Sequence, residues 1–180
     1  MMQSRGWIQN LLTLMGLVIG AKIGIKFADV DQRFPDWLLH HRALLTHGAI
    51  VPLLLTSITA FTQIQIIRGF TIGFCITNAI HLSFDLFPKA WRGYALIHFF
   101  DWSLPPVGSW LWIASGIIVS LLIAYLLWRN FLDLVVAVGS VVFGFSVYAH
   151  EGIWFPMIAF CSSVILVLTG VSLFFPSWRD

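Results

Sequence analysis

Apolar runs of about twenty residues, repeated along the chain with few charges inside them, constrain this 180-residue sequence more than any other feature. A bilayer hydrocarbon core is about 30 Å thick and offers no water to peptide groups, so a run of that length reads as a membrane-spanning helix. Six such runs fit the chain, at 7–27, 44–64, 67–87, 107–128, 131–148 and 153–175. The expected fold is all-α: a polytopic integral membrane bundle of about six transmembrane helices. It forms a single domain over 1–180, with a motif-bearing half at 27–105 and packing helices at 107–175. Only 10% of the residues are charged and the mean hydropathy is +0.90, which excludes a disordered chain and a nucleic-acid binder. The apolar stretch at 11–20 follows Arg5 as in a signal peptide, but it ends in Gly20-Ala21-Lys22 without a small-x-small cleavage site, so a retained helix is expected. Cys75 and Cys161 lie inside apolar runs and read as packing residues.

The polar chemistry is confined to two longer connections, 28–43 and 88–106. One precedes the second span and the other follows the third, so both fall on the same membrane face. Of the 8 acidic residues, Asp29, Asp31, Asp36, Asp85, Asp101 and Glu151 map to that face, as do all 6 histidines. Lys22, Lys26, Arg33, Arg42, Lys89 and Arg92 are there too, against Arg5, Arg68, Arg129 and Arg179 on the other side. The positive-inside rule then places the polar loops in the cytoplasm. Tryptophans and tyrosines near the span ends, Tyr148 among them, read as interfacial belts, and small residues such as Gly139, Ser140, Gly144 and Ser146 as close-approach positions.

Two clusters supply metal-ligand chemistry. The first is Asp29-Val30-Asp31 followed by His40, His41, Arg42 and His47, which combines hard oxygen with borderline nitrogen donors and suits Zn, Mn or Fe. If the chain is helical from Leu39, His40 and His47 share a face. The second is His81 and Asp85, four apart and so on one helix face, with Asn78 one turn before. Ionisable residues inside an apolar span point to function by default. The tight turn joining the second and third spans makes them antiparallel neighbours, and brings His47 and His81 to a similar depth. Arg92 beside such a site suits a phosphate or carboxylate, and His98 with Asp101 suits acid-base work. Asp133, His150 and Glu151 carry less weight.

On Asp29-Val30-Asp31, on His41-Arg42 with Thr46-His47, and on His81 to Asp85, the sequence resembles the YdjM-type family of LexA-regulated, bacterial inner-membrane, metal-dependent hydrolases. The resemblance covers roughly 27–88. It departs at Ala28, where the family has proline, at Ala43, where it has glycine, and at Gly48, where a serine is common. It implies a divalent metal ion, Zn with Mn or Fe as alternatives, held by Asp29, Asp31, His41, His47, His81 and Asp85. It further implies hydrolysis of a lipid-linked or membrane-proximal ester or phosphoester, with Arg42 or Arg92 countering developing negative charge. Other readings are a metal or proton transporter, a haem-binding bundle, or a non-catalytic structural or assembly protein. No charged path continues across the bilayer beyond His81 and Asp85, which counts against transport.

Overall fold

The computed structural model describes residues 3–35, 41–86, 96–100 and 102–174. Asp36, His40, Lys89, Trp91, Arg92 and Asp101 lie outside the described residues. The fold is all-α, with six helices among the described residues: α1 (Gln3–Phe27), α2 (Ile50–Thr62), α3 (Gln65–Asp85), α4 (Pro106–Leu127), α5 (Phe131–Val147) and α6 (Trp154–Phe174). Short 3-10 turns follow α1 at Ala28–Arg33 and α5 at Ala149–Glu151, and a two-stranded antiparallel hairpin, β1 (His98–Phe99) and β2 (Trp102–Ser103), precedes α4.

α1, α3, α4 and α6 are long and apolar enough to cross a membrane, while α2, at 13 residues, and α5, at 17, are shorter. The expected second span at 44–64 is therefore corrected. Residues 41–49 are turns, and His47 lies ahead of α2, so helical spacing does not relate His40 to His47. Pro52 gives one reason: a proline lacks the N–H that a helix interior needs, and it fits the first turn of a helix beginning at Ile50. Competing bonds give the other. The Ala43 N–H donates to Asp31 Oδ2 at 3.0 Å, and Arg42 has φ +64°, outside the right-handed region. At about 1.5 Å per residue, α2 reaches only about 20 Å, and the non-helical 41–49 segment is tolerated because it is largely buried against the protein.

α3 is the central helix, with 83% of its apolar window buried, and α6 the peripheral one, at 17%. Its closest neighbour is α1, which runs parallel to it. Gly16, Gly20 and Gly24 on α1 face Gly69 and Gly73 on α3, and a Cβ at Gly20 or Gly69 would lie 2.0 Å from a backbone carbonyl oxygen of the other helix. Such small-residue stripes let helices approach closely where lipid supplies no hydrophobic drive between them. Buried apolar residues of α1, α3, α4 and α6, among them Leu17, Phe74, Ile80, Ile113 and Phe160, form one core. Val18, Leu53, Phe131, Val142, Ile165 and Leu173 are exposed outward, the pattern of a bundle solvated by lipid.

α3, α4 and α5 alternate in direction, so the end of α1, the 41–49 segment, the end of α3, the start of α4 and the end of α5 gather at one mouth. The other end is closed by an ion pair. Arg68 on α3 donates through Nη1 to Asp133 Oδ2 at 2.7 Å and through Nη2 to Asp133 Oδ1 at 3.3 Å, both side chains buried. The rest of the guanidinium is used as well, on Leu127 O, Thr13 Oγ1 and Gln65 Oε1.

Candidate metal centre

His81 comes to the mouth on the last turn of α3. Its Nδ1 lies 2.9 Å from the Ile25 carbonyl oxygen at the end of α1. A carbonyl only accepts, so Nδ1 carries a proton, and in the neutral ring Nε2 holds the lone pair. That lone pair faces Asp85 Oδ2 at 3.2 Å, one turn further along the same helix. His47 repeats the pattern from the 41–49 segment. Its Nδ1 stands 3.3 Å from Asp31 Oδ2 and 2.9 Å from Thr46 Oγ1, and its Nε2 stands 3.4 Å from the same Asp85 Oδ2.

Two imidazole lone pairs thus converge on one carboxylate oxygen, the three ligand atoms all within 4.8 Å of one another. Among the described residues, His47 Nε2 and Asp85 Oδ2 are buried without a hydrogen-bond partner. Buried polar atoms are rarely left so, and these three atoms meet favourably only with a proton or a metal ion between them. Both imidazoles are also held by their rear nitrogens, as metal-binding histidines commonly are. His47, His81 and Asp85 can therefore hold a metal ion.

The other expected ligands take different places. Asp31 is fully buried behind His47, and both its oxygens are occupied: Oδ2 accepts from the Ala43 N–H and, at 2.9 Å, from the Thr46 hydroxyl, while Oδ1 lies 3.4 Å from His41 Nδ1. It supports the group from behind and is not part of it. His41 is on the outer side of Asp31, its side chain 53% exposed, and the neighbouring carboxylate raises its pKa against the opposing effect of partial burial. Asp29 stands at the rim, its Oδ1 3.8 Å from His81 Nε2 and accepting from Gln32 Nε2 at 2.8 Å. Arg42 is beside the group, with Nη2 3.2 Å from Asp85 Oδ1. His150 and Glu151 pair loosely in an exposed turn.

Two neighbours of the site, Tyr148 and Trp112, carry no functional signal in the sequence, and a third, His98, takes a backbone role in place of the expected acid-base one. Tyr148, taken for an interfacial aromatic, places its hydroxyl 2.7 Å from His81 Nδ1 and donates to Ile25 O at 3.0 Å and Asp29 Oδ2 at 3.3 Å. Nothing local in the sequence separates it from the other aromatics at span ends. Trp112 donates from Nε1 to Leu44 O at 3.2 Å, and a Cβ at Gly48 would lie 2.3 Å from that indole nitrogen. The glycine after His47 is thus required by the tryptophan beside it. His98 anchors Arg42 through the backbone: its N–H donates to Arg42 O at 3.0 Å, and its own carbonyl accepts from the Leu44 N–H at 2.8 Å.

Comparison with protein-family models, with curated proteins and with solved structures returns no match to this chain.

Proposed function

We propose that this chain is a membrane-embedded, metal-dependent hydrolase of the YdjM type, acting at the polar mouth of its bundle on a lipid-linked or membrane-proximal ester or phosphoester. The observation that carries this reading is the convergence of His47 Nε2, His81 Nε2 and Asp85 Oδ2, with both imidazoles fixed from behind. Two imidazoles and one carboxylate form the donor set of many hydrolytic zinc sites, with Mn and Fe as alternatives, and three protein ligands leave a position open. A divalent ion held there supplies Lewis acidity and an acidified water.

The remaining roles belong to the chain itself. Arg42 holds the second oxygen of Asp85 and presents positive charge where negative charge develops on the substrate. Asp29, its side chain 40% exposed at the rim, is placed to accept a proton from water and return it to the departing alcohol. Tyr148 steadies both Asp29 and His81. Phe99, Phe100 and Trp102 at the hairpin are exposed beside the mouth, where aromatic side chains favour the headgroup layer, and this supports a substrate reached from the lipid. The positive-inside rule puts this mouth on the cytoplasmic side of a bacterial inner membrane.

Metal analysis of purified protein tests the reading. About one ion per chain is expected after Zn2+ loading, with loss of binding in both His47→Ala and His81→Ala. Equal metal content in the wild type and both variants would falsify it.

A further inference from the structure

Among the described residues two arginines are buried, Arg42 and Arg68, and they are built differently. Every nitrogen of Arg68 has an acceptor. Arg42 is only 9% exposed, and its Nη2 is tied to Asp85 Oδ1, yet its Nη1 is buried with no hydrogen-bond partner among the described residues. A charged donor left unsatisfied in so dry a place is destabilising, and a native structure rarely keeps one without a use.

The backbone also holds Arg42 in place at a cost in strain. Its φ of +64° is a conformation that long side chains seldom adopt, and it is pinned on either side by the His98 N–H on the Arg42 carbonyl and by the Ala43 N–H on Asp31. The result directs the guanidinium toward Asp85. Nη1 branches from the same carbon as the Nη2 that meets Asp85 Oδ1 at 3.2 Å, so the unmet donor belongs to a guanidinium already seated against the metal group.

We propose that Arg42 Nη1 anchors an anion subsite beside the metal group, and that the substrate is a phosphate ester whose charged oxygen sits on that nitrogen. This rests on the metal reading above. A phosphoryl group has several anionic oxygens, so one can face the metal group while another takes the guanidinium; a carboxylic ester offers one carbonyl oxygen and leaves Nη1 unmet. The nearby carboxylates do not block an anion. Asp31 is occupied by its own donors, Asp29 by Gln32 and Tyr148, and Asp85 Oδ1 by Arg42 itself.

The test is binding of inorganic phosphate to the full, Zn2+-loaded chain in nonionic detergent, followed by calorimetry or 31P NMR. The wild type is expected to bind phosphate, and Arg42→Gln to bind it about ten- to a hundredfold more weakly while still holding Zn2+. Arg42→Lys is expected to lose most of the affinity as well, since one ammonium cannot serve Asp85 and phosphate with a fixed fork. In phosphatidylcholine nanodiscs, added phosphatidic acid that displaces phosphate identifies a lipid headgroup as the source of the anion, and failure to displace it identifies a soluble phosphate ester; either supports the subsite. Zn2+-loaded wild type that binds no phosphate, or phosphate binding unchanged in Arg42→Gln, overturns the subsite alone. Wild type that holds no Zn2+ overturns the metal reading and the subsite together.

Discussion

Asp31 and Tyr148 act on the candidate centre without belonging to it. Asp31 Oδ2 receives the Ala43 N–H and the Thr46 hydroxyl and faces His47 Nδ1, so one buried carboxylate both shapes the 41–47 segment and sets the His47 tautomer. Its presence near histidines is legible in the sequence, but its role is not, because an Asp-x-Asp pair can face a metal or a neighbouring loop equally well. We expect Asp31→Asn to weaken Zn2+ binding by about 10- to 100-fold, measured by competition with a chelating indicator. Tyr148 lies more than sixty residues from His81 in sequence; its hydroxyl stands 2.7 Å from Nδ1, and the two rings meet edge to face at 5.3 Å. Tyr148→Phe keeps the ring packing on Phe84 and should lower Zn2+ affinity by about tenfold with unchanged helical circular dichroism. Unaltered affinity would make the hydroxyl a bystander.

At the level of elements, the pairing of α1 with α3 decides where the site can form, since Ile25 at the end of α1 holds His81 on α3. That pairing depends on glycines at four-residue spacing, Gly16, Gly20 and Gly24 against Gly69 and Gly73, a pattern legible in the sequence, whereas Gly139 on α5, expected as a close-approach position, has nothing within 4 Å. We expect Gly20→Leu to destabilise the bundle by about 3 kcal/mol or more, because the obstructing atoms are backbone and cannot rotate away. Gly139→Ala, at a helical position with nothing within 4 Å, should be neutral or stabilise by up to about 1 kcal/mol. Thermal unfolding of both variants in one detergent compares them. The short α2 has a different cause: residues 44–49 are apolar enough to continue a helix, and Pro52 together with contacts from Asp31 and His98 holds them out of it.

The whole molecule has a polar mouth and, at its opposite end, a buried ion pair between Arg68 and Asp133. The pair links α3 to α5, and the same guanidinium reaches Thr13 on α1 and the last carbonyl of α4. Removing one partner leaves an uncompensated buried charge, so Asp133→Ala should destabilise the protein by about 3–5 kcal/mol. The double replacement Arg68→Met with Asp133→Leu should recover most of that loss, as read from unfolding midpoints, because it removes both desolvation penalties together. A double variant no more stable than Asp133→Ala would show that the hydrogen bonds to Thr13 and Leu127 matter more than the charge pair.

The sequence by itself determined the helical class of this protein, helices long and apolar enough to cross a membrane, and, among the described residues, the end of the bundle at which its histidines and most of its carboxylates gather. Those properties follow from run length, hydropathy and the parity of spans, which are local or additive along the chain. It also singled out His47, His81 and Asp85 among the candidates. Only the tertiary structure separated those three from Asp31 and His41, shortened α2, and drew Tyr148, Trp112 and His98 around the site. Each of these depends on which atom of a side chain meets which partner across distant parts of the chain. Neither spacing nor composition carries that information, because helix packing, through glycine contacts and buried polar bonds, decides it.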